Sequence, residues 1–62
     1  MTVLTKRETE IMALIGPQGL LVKQAAVQLG TSEQTVKNQL MAIREKLGAN
    51  SNAHAVYLFY AS

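Results

Sequence analysis

Cysteine is absent from this 62-residue sequence, and histidine occurs once, as His54. The first absence excludes a disulfide framework and a thiolate zinc site. One histidine cannot build a metal cage, so no metal or other cofactor is expected, nor a small-molecule ligand. No apolar run reaches the ~18 residues of a membrane span, and no membrane partner is expected. The opening MTVLTKRETE lacks the basic-then-apolar order of a signal peptide, which makes the cytoplasm the expected location. No stretch is low in complexity, no repeat is visible, and no linker is long enough to separate two domains. One domain over residues 1–62 is expected. Charge is missing from the end of the chain. Every charged side chain lies between Lys6 and Lys46, and the last sixteen residues carry none beyond a proton on His54. A chain this short buries only roughly 60% of the surface its unfolded form exposes, so it is marginal alone and gains from a partner.

What is present centres on Gly30 to Gly48, GTSEQTVKNQLMAIREKLG. The stretch reads as one helix. Thr31 and Ser32 can each cap its start, and Thr31 with Gln34 has the spacing of a capping box. Gly48 suits a left-handed stop. Val36, Leu40, Ile43 and Leu47 form one apolar stripe for a core. The opposite stripe carries Gln34, Lys37, Asn38, Met41 and Glu45. A cation, an amide and a soft apolar tip in that stripe suit DNA base edges. The formal net charge of +2 and a pI near 9.3 permit nucleic-acid binding without arguing strongly for it.

The rest of the chain supplies supports. After a short lead-in, Met1 to Leu4, Thr5 and Glu8 form a second capping box and start a helix over about 6–15. Glu8 and Glu10 suit its N-terminal dipole, and Ile11, Leu14 and Ile15 give it an apolar stripe. Gly16, Pro17 and Gly19 make a turn. A second helix is expected over about 21–29. Its buried face is Val22, Ala25, Ala26 and Leu29, and the adjacent alanines admit a close neighbour. The short Gly30-Thr31 turn then leads to the helix over 32–47, which is the arrangement of a helix-turn-helix. Ser51 is a plausible cap for a fourth helix over about 52–61. That helix is apolar almost all round, and a domain of this size covers one side of it only.

These residues resemble the DNA-binding domain of LuxR/FixJ-type (GerE-like) transcription regulators. The matching stretches are Leu4-Thr5-Lys6-Arg7-Glu8-Thr9-Glu10-Ile11, Gly19-Leu20, and Ser32-Glu33-Gln34-Thr35-Val36-Lys37-Asn38. Lys23, Ala26, Leu29, Ile43, Lys46-Leu47-Gly48 and Ala55-Val56 also match. The resemblance runs from Leu4 to about Leu58. It implies an all-α, four-helix fold with a helix-turn-helix. It also implies base contacts from Lys37, Asn38 and Met41, and phosphate contacts from Lys23, Thr35 and Lys46. Arg44 joins the phosphate contacts or stays in solvent. The sequence departs from the family pattern at several points. The Gly16–Gly19 loop looks one residue longer, Thr31 replaces an apolar residue, Gln39 stands where histidine is frequent, and Asn52 where arginine is frequent. Family members usually carry a receiver or ligand-sensing domain before this module. Here the chain begins at Met1, so a standalone protein or an excised domain is expected.

Bland readings compete with these at several positions. Lys6 and Arg7 sit beside Glu8 and Glu10, which points to a solvated first turn. The carboxylates Glu8, Glu10, Glu33 and Glu45 read as helix-surface charges and not as an acid/base pair. His54 reads as a surface or capping histidine. Nothing resembles a nucleophile triad or a phosphate loop, so an enzyme is not expected. Two functions remain. One is a sequence-specific regulator that binds double-stranded DNA and pairs weakly through its last helix. Ala55, Leu58 and Phe59 would close the core, and Val56, Tyr57 and Tyr60 would face a second copy or a larger LuxR-type regulator. The other is an interaction module that inhibits such a regulator or contacts the transcription machinery. A relative of a sigma-factor promoter-binding region fits the motifs less well.

Overall fold

A computed structural model describes residues 4–61. Four helices follow one another: α1 (Lys6–Ile15), α2 (Val22–Leu29), α3 (Glu33–Leu47) and α4 (Asn52–Ala61). No strand occurs among the described residues. The expected lead-in at Met1 to Val3 lies outside them. Each helix starts close to where local chemistry places it. Thr5 Oγ1 accepts from the Glu8 N–H at 3.1 Å, and Glu8 Oε1 accepts from the Thr5 N–H at 2.9 Å, so the first capping box forms. Helix α2 starts one residue later than expected, because Leu21 is its extended cap residue. Leucine has no side-chain acceptor. The start keeps the returning half of the box, with Gln24 Oε1 accepting from the Leu21 N–H at 2.9 Å.

At α3 the structure chooses between two candidate caps. Ser32 Oγ accepts from the Thr35 N–H at 3.0 Å. The Thr31–Gln34 box is not made, since Thr31 stands one residue too early and Gln34 bonds to Asn38 instead. Ser51 caps α4 as expected, accepting from the His54 N–H at 3.0 Å. His54 is a capping histidine, its Nδ1 accepting from the Asn50 N–H at 3.0 Å. Gly30 and Gly48 end α2 and α3 at φ +69°, a left-handed geometry that costs glycine little.

All four helices contribute to one core. Val36, Leu40 and Ile43 bring the inner stripe of α3 against Ile11 and Met12 of α1, Ala26 of α2 and Ala55 of α4. Leu47 of the same stripe is packed against this cluster but only half-buried. Ala25 and Ala26 are both buried, as a close helix approach requires. Met12 is fully buried too, a core position the α1 stripe does not include. Flexible methionine fills such irregular gaps well.

Two expectations need correction here. Glu8 is 7% exposed and is not a helix-surface charge. Its carboxylate lies under the last turn of α3, where Lys46 reaches it. Val56 does not face outward with the tyrosines. It packs against the core, and its Cγ1 stands beside Gly16 closely enough that a Cβ there would approach to 2.9 Å. The glycine lets α4 lie against the end of α1. Ala55 is buried and Phe59 partly so, as the core stripe of α4 predicts. Tyr57 remains 67% exposed and Tyr60 48%.

Candidate nucleic-acid interface

The face of α3 opposite its core stripe is the candidate site. Gln34, Lys37, Asn38, Met41 and Glu45 are all exposed there. The helix is held from below by three fully buried residues, Val36, Leu40 and Ile43. The outer groups therefore stand on a fixed base. Met41 is 52% exposed, far more than a methionine needed for packing.

Neighbours one turn away constrain two of the candidate readers. Lys37 Nζ lies 3.6 Å from Glu33 Oε1, and both side chains are about half exposed. Such a solvated pair contributes little. Gln34 Nε2 donates to Asn38 Oδ1 at 3.0 Å. These links follow from i,i+4 spacing, and that spacing was the signal available in the sequence.

The candidate phosphate contacts divide into two groups. Lys23 on α2 and Thr35 on α3 are exposed. The Thr35 hydroxyl also shares a hydrogen bond with Ser32 Oγ at 2.8 Å. Arg44 and Lys46 have partners inside the protein. Arg44 is half-buried, and its guanidinium donates to Asn52 Oδ1, which joins α3 to α4. Arg44 is thus not merely solvated, and the Asn52 bond uses only part of a guanidinium that has five N–H donors. The asparagine found where arginine is frequent accepts a bond from α3. Lys46 Nζ lies 2.7 Å from Glu8 Oε1. Its hydrogen bond, together with the Thr5 N–H, holds the Glu8 carboxyl below its ordinary 4.5, against the opposing effect of burial.

Gln39 faces neither group. It is half-buried, and its Oε1 finds no hydrogen-bond partner. Among the described residues, no group of His, Cys, Asp or Glu is placed to hold a metal ion.

The sequence pattern of the family described as "Bacterial regulatory proteins, luxR family" matches residues 2–59. The chain belongs to that family. The luxR pattern thus extends from before α1 into α4 and includes the whole candidate face. The family is one of regulators with a helix-turn-helix, not of enzymes, and membership supports DNA-binding transcription regulation as the class of function. A curated relative, Transcriptional regulatory protein YdfI of Bacillus subtilis (strain 168), is 47% identical over 55 residues. The aligned part is 89% of this chain and 25% of YdfI, so the chain spans about a quarter of that relative's length. No solved structure matches the chain. No described helix is long and apolar enough to cross a membrane.

Proposed function

We propose that this luxR-family chain binds duplex DNA in the cytoplasm, with α3 in the major groove, and regulates transcription from the sites it selects. One observation carries the reading. Helix α3, anchored by the fully buried Val36, Leu40 and Ile43, has Lys37, Asn38 and Met41 exposed together on its outer face. A cation and an amide supply hydrogen bonds to base edges, and the methionine tip suits a thymine methyl. Lys23 and Thr35 are the phosphate contacts that need no rearrangement. Arg44 and Lys46 would have to leave internal partners or serve both at once.

Replacing Lys37 with alanine is expected to cost about 1–3 kcal/mol on a preferred site and to relax sequence preference. Replacing Lys23 should weaken all duplexes alike and lower the salt slope by about one. Mobility shifts on selected and random duplexes at several salt concentrations check both. Unchanged binding of Lys37→Ala to the best site would sink this reading face.

The proposal includes pairing. The molecule measures 29 × 20 × 19 Å, whereas successive major-groove sites on one side of a duplex lie roughly 34 Å apart. Two copies are needed to occupy both. Tyr57 and Tyr60 offer the apolar area, each with a polar end that stays wet. Val56 supports them from the core side. The same tyrosines suit the equivalent helix of a larger LuxR-type regulator. We expect weak self-association that tightens on a palindromic site, and loss of it in Tyr57→Glu, by sedimentation. A strict monomer on such a site would remove the pairing.

A second reading has an observation of its own. Four of the six cations have partners within the protein: Arg7, Lys37 and Lys46 pair with glutamates, and Arg44 bonds to Asn52, which leaves little unpaired positive charge for phosphate. A module that binds a LuxR-type regulator, or the transcription machinery, would tolerate that. Absence of any salt-dependent shift on DNA would favour it.

A further inference from the structure

We infer that Glu45 is a specificity-determining residue of the proposed face, one that accepts a hydrogen bond from the N4 amino group of cytosine. The inference rests on the proposed entry of α3 into the major groove. The chain has four carboxylate side chains. Three have a cation partner: Glu8 with Lys46, Glu10 with Arg7 and Glu33 with Lys37. Glu45 is exposed, and among the described residues no cation pairs with it. Its chain neighbours Arg44 and Lys46 are turned to Asn52 and Glu8. Glu45 also stands in the last turn of α3, which ends at Leu47. An anion there opposes the helix dipole, so the helix gains nothing from it.

Its direction gives it a use. Val36, Leu40 and Ile43 mark the inner side of α3. At 3.6 residues per turn, Glu45 falls opposite that stripe, between the directions of Met41 and Asn38. Lys37, Met41 and Glu45 follow one another at steps of about one turn, and all three are exposed. Side chains at such steps along a groove helix meet different base pairs. From Lys37 to Glu45 the helix rises about 12 Å, or roughly three to four base pairs. A carboxylate in the groove is discriminating. It only accepts, and phosphates repel it, so it is favourable only where a base edge donates. Guanine and thymine offer only acceptors there, adenine sets an N7 acceptor beside its donor, and cytosine offers N4 alone. The two carboxylate oxygens are equivalent, so rotation of the group does not change what it reads.

The test is a binding selection on randomised duplexes with the 62-residue chain, followed by competition affinities. It compares wild type with Lys37→Ala, Glu45→Ala and Glu45→Gln. Wild type should prefer cytosine at one position, roughly three to four base pairs from the position that Lys37→Ala flattens. Glu45→Ala should reduce the cytosine preference there by about three- to tenfold, the size of one net hydrogen bond. Glu45→Gln both accepts and donates. It should move the preference at that position to adenine, with which glutamine pairs at two points. Loss of the negative charge tightens all duplexes together, so ratios between bases at one position isolate the reading. Melting temperatures of both Glu45 variants should not fall below wild type, which separates reading from a role in the fold.

If Lys37→Ala and Glu45→Ala both leave every position unchanged, the proposed face and this inference fall together. If Lys37→Ala flattens one position while Glu45→Ala only tightens binding to every duplex, the face stands and Glu45 is a repelling charge alone, which overturns the inference. Flattening by Glu45→Ala at a position where another base is preferred would overturn it too.

Discussion

Glu8 holds three groups in register at once. One oxygen accepts from the Thr5 N–H at 2.9 Å and from Lys46 Nζ at 2.7 Å. Its own N–H is capped by Thr5 Oγ1 at 3.1 Å. Replacing it with glutamine keeps an acceptor and removes the charge. A hydrogen bond to a charged group contributes about 1.5–3 kcal/mol, reduced here because the Lys46 side chain is 37% exposed. Glu8→Gln should therefore cost about 1–2 kcal/mol near neutral pH, measured by urea unfolding. The sign of the pH effect follows from the lowered pKa. The carboxylate stabilises the fold above its ordinary 4.5, and that increment is lost as pH falls through the depressed value. The gap between variant and wild type should close in acid. A gap independent of pH would mean the pair contributes nothing through charge. The cap at Thr5 was legible because its two members are three residues apart. The Lys46 bond was not, since nothing local joins position 8 to position 46.

At the scale of the helices, the sequence was legible wherever a helix has two unlike faces. The stripe Val36, Leu40, Ile43 and Leu47 contrasts with polar neighbours, and the structure buries its first three members. Caps at Thr5 and Ser51 and the glycine stop at 48 gave the ends to within a residue. Helix α4 has no such contrast, and periodicity could not divide its apolar residues into inner and outer sets. Val56 went to the inside because α1 ends in Gly16, a residue without a side chain to keep it away. That contact is open to test. A Cβ on Gly16 would come within 2.9 Å of both Met12 O and Val56 Cγ1, and 3.1 Å from Tyr60 Cε2. Met12 O belongs to α1 and cannot yield easily, so the end of α1 must shift as well as the Val56 side of α4. Gly16→Ala should destabilise by about 1–3 kcal/mol, as overpacking does, with a changed tyrosine near-ultraviolet dichroism. A melt equal to wild type would show that α4 is not seated on this glycine. On the candidate face, the shared exposure of Lys37, Asn38 and Met41 was legible from their spacing against the core stripe. The bond from Arg44 to Asn52 was not, since it joins two helices through side chains that no local pattern relates.

For the whole molecule, the bond between Lys46 and Glu8 spans 38 positions, while the helices and their caps close over three or four. Local contacts form early and cheaply, and a long loop closes at an entropic cost that later contacts must offset. The tie should be absent when the chain crosses its barrier to folding. Its consequence is then for the lifetime of the folded state and not for the speed of reaching it. Lys46→Met should leave the folding rate nearly unchanged and raise the unfolding rate by roughly five- to thirtyfold, for a loss of about 1–2 kcal/mol. Stopped-flow chevrons separate the two limbs, and equal slowing of folding would place the tie in the barrier. Lys46 would then set how long the unliganded protein stays in a form able to bind, while any partner that binds only the folded form adds to that lifetime.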